Sequence, residues 1–275
     1  MPTSQHYLQS LFDLDGKPVI IAGGAGVIGQ EMAKALLSAG GTVTLWSRTQ
    51  ASIDEALTQI GQTIDCGDKL SGDRVDTSSE EQVADGIERL VSRHGSPEIL
   101  INAVGGNMGK TGFIDLDTRQ FESVLQMNLL AGLVIPTKLV AAHWIEKQIP
   151  GTIINLASMT SYKPLSGVWA YNAAKSAVLN LTQATAREFA PHNIRVNAIA
   201  PGFFLGKQNR AMLIDEATGD YTERGKQVIS RTPFGRFGDP AELAGATCFL
   251  ASNRASGFVT GISIPVDGGF LVDSI

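Results

Sequence analysis

Short apolar runs alternate with longer helical patterns along this sequence, and that alternation limits the available folds more than any other feature. The runs are rich in β-branched side chains and are bounded by Gly, Pro, Asn or Ser. They lie at residues 17–23, 42–47, 98–105, 151–158, 194–202 and 261–269. Continuous apolarity of this length predicts strands that are buried on both faces, as the strands of parallel sheets are.

The segments between the runs have helical periodicity. In the first, the apolar side chains from Ile28 to Ala39 share one face, and Gly40 ends the pattern. Repeated βα units with right-handed crossovers form a doubly wound parallel sheet with helices on both faces. We therefore predict an α/β fold of the Rossmann type, built as a single domain over residues 1–275. Further helices are predicted at about 79–94, 117–147, 168–190 and 239–252, and a weaker strand at 68–76.

Composition argues against several classes of function. The net charge is −5 at pH 7 and the sequence pI is about 5.4, without a basic stripe, so we expect no nucleic-acid partner. No uninterrupted apolar stretch reaches the roughly 18 residues of a membrane helix, and the first residues lack a signal-peptide pattern. The four histidines and two cysteines have no metal-ligand spacing. We expect a cytoplasmic protein with a small-molecule substrate, without a metal ion and without a membrane partner.

A glycine-rich segment, AGGAGVIGQ at residues 22–30, lies between the first predicted strand and the first predicted helix. Glycines at such a turn allow backbone N–H groups to approach a pyrophosphate, and the helix N-terminus stabilises its negative charge. The position of the segment at the start of a βαβ unit predicts nucleotide binding, although its spacing differs from GxGxxG.

A tyrosine and a lysine stand four residues apart in the helix predicted at 168–190. Tyr171 and Lys175 therefore lie on one helix face. Ser158 ends the preceding strand, at the sheet edge where open α/β folds bind their ligands. The phenol of a free tyrosine has a pKa of about 10, and a nearby cation favours its ionised form. The arrangement indicates proton transfer rather than a surface pair.

Eight ordered elements resemble those of the short-chain dehydrogenases/reductases and extend over nearly the whole chain. Three positions depart from the family pattern: Ala22 replaces the Thr and Val27 the middle glycine of TGxxxGxG, and Ala103 replaces the second Asn of NNAG. The elements are AGGAGVIG (22–29), INAVGG (101–106), MNLLAG (127–132), NLAS (155–158), YNAAK (171–175), RVNAIAPG (195–202), RFGDPAEL (236–243) and VDGG (266–269).

The resemblance implies a catalytic tetrad of Asn128, Ser158, Tyr171 and Lys175. Tyr171 would be the acid in ketone reduction and the base in alcohol oxidation. Lys175 would lower the pKa of the phenol and hold the cofactor ribose, and Ser158 would donate a hydrogen bond to the reacting oxygen. Asn128 would hold a water near Lys175, or would instead satisfy backbone groups at a helix kink.

The predicted cofactor is a nicotinamide dinucleotide. The second strand ends at Ser47 and Arg48. Neither residue has a carboxylate to accept a hydrogen bond from the 2′-OH of NAD, whereas Arg48 provides a cation for the 2′-phosphate of NADP. NADP is therefore favoured. If Arg48 only stacks on the adenine, NAD remains open. Asp76 resembles the adenine-contacting Asp of the family. The predicted cofactor-binding residues are Gly23, Gly24, Gly26, Val27, Ile28, Ser47, Arg48, Asp76, Asn102, Ala103, Gly105, Tyr171, Lys175, Pro201 and Gly202.

Residues 203–232, here named the lid segment, are expected to cover the substrate. They are rich in basic and amide side chains, which suit a polyhydroxy acid better than a fatty acyl chain. Motifs such as APGFFLGKQNR and TPFGRFGDPAELAGA resemble the D-mannonate oxidoreductase (fructuronate reductase) branch. That branch implies interconversion of D-fructuronate and D-mannonate, and it suggests NAD rather than NADP. The predicted substrate contacts are Asn107, Ser158, Tyr171, Gln208, Asn209 and Arg210.

Other functions stay open. One alternative is a 3-oxoacyl thioester reductase, which would need an apolar channel and a basic docking patch and which the polar lid disfavours; another carbonyl reductase is a further alternative. A non-catalytic dinucleotide sensor would need no proton donor, and the complete tetrad argues against it. The family resemblance also implies a homotetramer.

Overall fold

The computed structural model describes residues 4–206 and 210–274, and its strands form one parallel sheet. The order across the sheet is β3-β2-β1-β4-β5-β6-β7. The strand order reverses at β1, because β2 and β3 are added on one side of it and β4 to β7 on the other. This reversal places a crevice at the carboxyl ends of β1 and β4. The strands are β1 (Pro18–Ala22), β2 (Thr42–Ser47), β3 (Leu70–Arg74), β4 (Ile99–Asn102), β5 (Gly151–Leu156), β6 (Ile194–Pro201) and β7 (Ser263–Val266).

Helices connect the strands, and the long helix from Thr118 to Lys147 contains a π-helical stretch, Gln126–Val134, between α5 and α6. The α-helices of the described residues are α1 (Ser4–Leu11), α2 (Val27–Ser38), α3 (Gln50–Gly61), α4 (Glu80–His94), α5 (Thr118–Leu125), α6 (Ile135–Lys147), α7 (Trp169–Phe189), α8 (Arg210–Leu213), α9 (Glu223–Ile229), α10 (Ala244–Ala251) and α11 (Asn253–Ser256).

Apolar clusters pack against both faces of the sheet. Alternate residues of one strand take part in different clusters, since Ile21 packs with Leu36 of α2 and Ile20 packs with Trp144 of α6. Side chains that lie between a sheet and its helices on both sides must be apolar at every position, which explains the unbroken apolar runs of the sequence. The two clusters confirm the doubly wound arrangement.

Helix α3 and strand β3 show where the sequence patterns are hardest to interpret. The helix α3 is not among the predicted helices, although its buried residues Ile53, Ala56 and Ile60 have helical spacing and Thr49 caps its first turn. The strand β3 has a weak pattern because it lies at the edge of the sheet and is only partly buried. Its Gly72 lies against α3, where an added Cβ would be 2.2 Å from the side chain of Ile53.

One helical segment, Thr118–Lys147, is long and apolar enough to cross a membrane by length and composition. Half of its most apolar window is buried inside the protein. The segment packs against α4 and α7, so its apolar residues take part in the core.

Candidate active site

Two adjoining cavities open at the carboxyl ends of the central strands. The first, of about 950 Å³, extends from the glycine-rich loop to the tip of β2. The second, of about 640 Å³, lies beside the ends of β5 and β6 and includes Ser158 and Tyr171 in its wall. Ile28, Ala103 and Gly105 line both cavities, so a ligand in the first can reach the second.

The glycine-rich loop brings backbone close to the first cavity. Gly23 has a φ of +78°, and a Cβ there would be 2.7 Å from the backbone nitrogen of Val104. A Cβ on Gly29 would be 2.6 Å from the carbonyl oxygen of Gly23, so the loop and α2 pack too closely for a side chain. Gly26 precedes α2 without a side-chain cap, which leaves first-turn N–H groups for an anion.

Two positions of this loop, Val27 and Gly24, differ from the other predicted cofactor-binding residues around them. Val27 begins α2 and does not have a positive φ, so it needs no glycine. Its side chain faces the start of the lid segment, 3.4 Å from the Cβ position of Gly206. Gly24 is not in the wall of the first cavity, and a Cβ there would be 2.7 Å from the side chain of Leu45. Gly24 is therefore placed for packing rather than for cofactor contact.

The opposite end of the first cavity is formed by Ser47, Arg48 and Asp76. The Ser47 hydroxyl is hydrogen-bonded to the Ser52 hydroxyl of α3 at 2.9 Å. Hydrogen bonds from Ser78 to the Asp76 carboxylate lower its pKa, and the charge of Arg48 acts in the same direction. Arg48 and Asp76, which follow the ends of β2 and β3, therefore lie close together at the end of the cavity where the adenosine is predicted to bind.

Ser158 is positioned by a short turn after β5. Its Oγ accepts a hydrogen bond from the backbone N–H of Thr160 at 3.1 Å. Its own N–H bonds to the Oγ of Ser161, which donates at 2.6 Å to the carbonyl oxygen of Lys175. Ser161 therefore joins the turn to α7. No local sequence pattern points to this serine, because its role depends on contact between two elements.

Tyr171 and Lys175 lie on the inner face of α7, as their spacing predicts. The Nζ of Lys175 is 5.7 Å from the centre of the Tyr171 ring and donates to the carbonyl oxygen of Leu156 at 2.7 Å. Burial lowers the pKa of Lys175 to about 8. Burial also raises the pKa of Tyr171, which the hydrogen bond with Ser158 opposes. The phenol is therefore held protonated, the form that a proton donor requires.

The side chain of Asn128 lies in the π-helical stretch and binds the loop after β4. Its Oδ1 accepts from the N–H of Gly106 at 3.0 Å, and its Nδ2 donates to the carbonyl oxygens of Gly106 and Val124 at 2.7 and 2.8 Å. A Cβ on Gly105 would be 2.7 Å from Asn128 Oδ1 and 3.2 Å from Lys175 Nζ. The side chain thus satisfies backbone groups at a helix distortion, the second of the two predicted roles.

Asn102, predicted to bind cofactor, is instead part of a buried polar network. Its Nδ2 donates to Thr137 and to Asn155, each at 2.9 Å, and Asn155 donates in turn to Thr182. Its side chain is not among those lining either cavity. The network links the two central strands to helices on the same face.

The predicted substrate contacts are only partly brought together. Asn107 lines the second cavity, whereas Arg210 is exposed at the start of α8 and lines neither cavity; Gln208 and Asn209 lie outside the described residues. Two other cations, Lys110 and Arg224, line the second cavity. Neither cation is among the predicted substrate contacts, because the two come from distant parts of the chain.

The remaining wall of the second cavity is mainly apolar. The predicted cofactor residues Pro201 and Gly202 line it near the end of β6. Phe203, Met212 and Leu213 of the lid segment also line it, so the part of this segment that faces the cavity is more apolar than its composition suggests.

Comparison with known proteins agrees with this geometry. Residues 23–271 match a family model described as enoyl-(acyl carrier protein) reductase, which covers most of the chain. The chain belongs to the short-chain dehydrogenase/reductase family. Members of this family transfer a hydride between a nicotinamide dinucleotide and a CH–OH group, so the protein is an NAD(P)-dependent oxidoreductase.

Several relatives of this short-chain dehydrogenase are named after sugar acids. A 2-dehydro-3-deoxy-D-gluconate 5-dehydrogenase of Formosa agariphila is 34% identical over 95% of this chain and 95% of its own length. A crystal structure from Haemophilus influenzae with bound NAD, provisionally named D-mannonate oxidoreductase, has 34% identity and a TM-score of 0.87, covering 97% and 99% of the two chains. A gluconate 5-dehydrogenase of Burkholderia cenocepacia in complex with NADP and tartrate has 30% identity and a TM-score of 0.85, covering 98% and 100%.

The first cavity of this short-chain dehydrogenase fits a dinucleotide. Gly23, Gly29 and Gly105 in its wall have no room for Cβ atoms, and the N-terminus of α2 has no side-chain cap. Nine of the predicted cofactor-binding residues line it: Gly23, Gly26, Val27, Ile28, Ser47, Arg48, Asp76, Ala103 and Gly105. Tyr171, Lys175, Pro201 and Gly202 line the adjoining second cavity.

Proposed function

We propose that this enzyme interconverts a keto sugar acid and the corresponding hydroxy acid, with D-fructuronate and D-mannonate as the leading pair. The observation that carries the proposal is the presence of Lys110 and Arg224 in the same cavity wall as Ser158 and Tyr171. Neither cation is ion-paired with a carboxylate within residues 4–206 and 210–274. The sugar-acid names of the relatives agree with an anionic substrate.

The electrostatics of the second cavity favour an anion. Burial lowers the pKa of Lys110, and the positive charge of Arg224 adds to this effect, so the two cations repel each other. A carboxylate between them would remove this repulsion and accept hydrogen bonds from both side chains. The substrate carboxylate would then lie at the lid side of the cavity, with its carbonyl carbon toward Ser158 and Tyr171.

Each candidate catalytic residue has a role that its surroundings support. When bound, the nicotinamide supplies or accepts the hydride. Tyr171 donates its proton to the substrate oxygen during reduction and accepts it during oxidation. The Ser158 hydroxyl donates a hydrogen bond to that oxygen as negative charge develops on it. Lys175 places a positive charge beside the phenol, which stabilises the phenolate that forms when the proton leaves.

We also propose that NADP is preferred over NAD. Ser47 and Arg48 at the tip of β2 supply a hydroxyl and a cation for a 2′-phosphate, and β2 ends without a carboxylate. The charge of Asp76 partly offsets that of Arg48. The related structures contain NAD in one case and NADP in another, so the local charges are our reason for the choice.

A substrate panel tests both proposals. D-fructuronate, D-mannonate, D-gluconate and 2-dehydro-3-deoxy-D-gluconate should be assayed by nicotinamide absorbance with each cofactor. We expect the highest kcat/KM with a sugar acid and a lower KM for the NADP form of the cofactor. A higher kcat/KM for a 3-oxoacyl thioester or a neutral apolar ketone, which Phe203 and Met212 would favour, would contradict the substrate class. A clear NAD preference would contradict the cofactor choice.

Substitution of the two cations tests how the substrate carboxylate is held. Lys110→Gln and Arg224→Gln should each raise KM for the sugar acid by about 10-fold or more, since a hydrogen bond to a charged group contributes about 1.5–3 kcal/mol. The matched control is Lys226→Gln on the same helix, whose lysine is exposed and pairs with Glu223. If the KM values of all three variants equalled that of the wild type, a carboxylate contact at Lys110 and Arg224 would be excluded.

For the assembly, we propose a cytoplasmic homotetramer formed through the helices at 117–147 and 168–190 and through the C-terminal strand. Exposed apolar side chains support this arrangement. Leu130 of the long helix and Ile262 beside β7 are both about two-fifths exposed, and Phe258 is fully exposed. Such side chains are typical of surfaces that bind a partner subunit.

A further inference from the structure

A third cavity, of about 510 Å³, adjoins the second on the side of the lid segment. It lies between α9 and the loop at residues 163–166, and Leu165, Phe203 and Arg224 line both cavities. The proposed reaction does not use this cavity.

The third cavity is lined by three cations and by no acidic side chain. Arg224, Gln227 and Arg231 are spaced at i, i+3 and i+7, so α9 and the residues after it present them on one face. Lys163 lies on the opposite wall, where its Nζ is 5.8 Å from the centre of the Phe270 ring and donates to the carbonyl oxygen of Asp273 at 3.4 Å.

None of the three cations pairs with a carboxylate in the part of the chain that the structure describes. Like charges around one cavity repel each other, and an oxyanion bound among them would remove that repulsion. An arginine guanidinium can donate two parallel N–H hydrogen bonds to one carboxylate or phosphate group. The lining is therefore selective for an anionic ligand.

The third cavity is also connected to the catalytic helix. Asn172, the residue after Tyr171, donates from Nδ2 to the carbonyl oxygen of Leu165 at 2.8 Å and accepts from the N–H of Leu165 at 3.3 Å. The loop that forms one wall of the cavity is thereby held to α7. Arg224 provides the other connection, because its side chain reaches both cavities.

We propose that the third cavity is a regulatory site for the carboxylate or phosphate group of a small anionic metabolite. An anion bound among Lys163, Arg224 and Arg231 draws the Arg224 guanidinium away from the second cavity. The enzyme then holds the substrate carboxylate less tightly. Because coupling between two sites is reciprocal, substrate in the second cavity lowers the affinity for the anion by the same factor. This kinetic part rests on the proposed sugar-acid substrate, whereas the binding of the anion does not.

Calorimetry with inorganic phosphate and, separately, with malonate tests the site directly. The enzyme is kept saturated with NADP⁺, so that the first cavity is filled. We expect one anion per chain, and at least a 10-fold higher Kd in Arg231→Gln and in Lys163→Gln. Lys110→Gln, which removes a cation from the second cavity only, should leave the Kd within about twofold of wild type. Tight binding by only one of the two anions identifies the preferred group.

Arg231→Lys keeps the charge and should retain most of the affinity, which separates loss of the site from loss of folding. Phosphate should raise KM for the sugar acid without changing kcat in wild type, and should have no such effect in Arg231→Gln. The site is excluded if phosphate and malonate bind equally to wild type, Arg231→Gln and Lys163→Gln. It is equally excluded if Lys110→Gln abolishes binding, since the anion would then lie in the second cavity. A failed sugar-acid panel would leave the calorimetric result unaffected.

Discussion

Burial changes the two titratable residues of the candidate tetrad in opposite directions. It raises the pKa of Tyr171 and lowers that of Lys175, because a low-dielectric surrounding disfavours the charged form of each. Tyr171 is thus kept as a phenol, and its hydrogen bond with Ser158 acts against the effect of burial. Lys175 remains largely protonated at neutral pH, since its pKa of about 8 lies above that pH.

Tyr171→Phe tests the proton donor. We expect kcat to fall by about 10²–10⁴-fold, the range typical of general acid–base groups, with little change in cofactor affinity. The measurements are steady-state kinetics with the best substrate of the panel and fluorescence titration of the reduced cofactor. The matched control is Tyr162→Phe, which removes the hydroxyl of an exposed tyrosine and should leave kcat unchanged. Full activity of Tyr171→Phe would exclude Tyr171 as the proton donor.

At the scale of secondary-structure elements, the π-helical stretch positions part of the active site through Asn128. A π-helical distortion leaves backbone carbonyls without their usual partners, and one of these, Val124, is satisfied by the side chain of Asn128. The same side chain holds Gly106 in the loop after β4, which lines the second cavity. A distortion in one helix thereby positions a loop of the active site.

Asn128→Ala tests this role of the π-helical stretch. The change removes three hydrogen bonds made by a buried side chain, so we expect the free energy of unfolding to fall by about 2–4 kcal/mol. We also expect KM for the substrate to rise, because the loop at 105–107 would be held less firmly. Urea denaturation and steady-state kinetics measure the two effects. Asn180→Ala, at an exposed position of α7, should change neither quantity. Unchanged stability of Asn128→Ala would show that these hydrogen bonds are not important.

For the molecule as a whole, a buried ammonium has a cost in stability that depends on pH. The pKa of Lys175 is 10.5 in its ordinary state and about 8 in the folded protein. Between these two values the unfolded chain holds the proton and the folded protein releases it, so raising the pH favours folding. Below pH 8 the full penalty is present, about 3 kcal/mol for a pKa difference of this size.

Lys175→Met should remove this dependence. We expect the Tm of the wild-type protein to rise relative to that of Lys175→Met as the pH increases from about 7 to about 9.5. Higher pH is avoided because Tyr171 would then ionise in the unfolded chain before it does in the folded protein, which favours unfolding. Differential scanning calorimetry at several pH values measures the effect, and Lys34→Met, which removes a lysine at the protein surface, is the control. If the Tm of the wild type and that of Lys175→Met changed with pH in parallel, the burial of a charged Lys175 would be contradicted.

The local patterns of the chain were sufficient for most of the fold. The apolar runs and helical periodicities depend only on neighbouring residues. They correctly predicted the parallel sheet and five of the helical segments that pack around it. They did not predict α3, although Ile53, Ala56 and Ile60 have the spacing of a buried helix face. The glycine-rich loop and the pair Tyr171 and Lys175 could also be found in this way, because each depends on short spacing within one element.

Tertiary packing alone decided which distant side chains share the cavities and how strongly each is buried. Lys110 and Arg224 belong to separate elements, and only the folded chain places them in one wall. The same is true of Asn102, which packing assigns to a buried network rather than to the cofactor. The pKa directions of Tyr171 and Lys175 follow from desolvation, which depends on all the atoms that surround a group. Sequence spacing can therefore identify a candidate proton donor, but the charges and contacts that surround it follow from the fold.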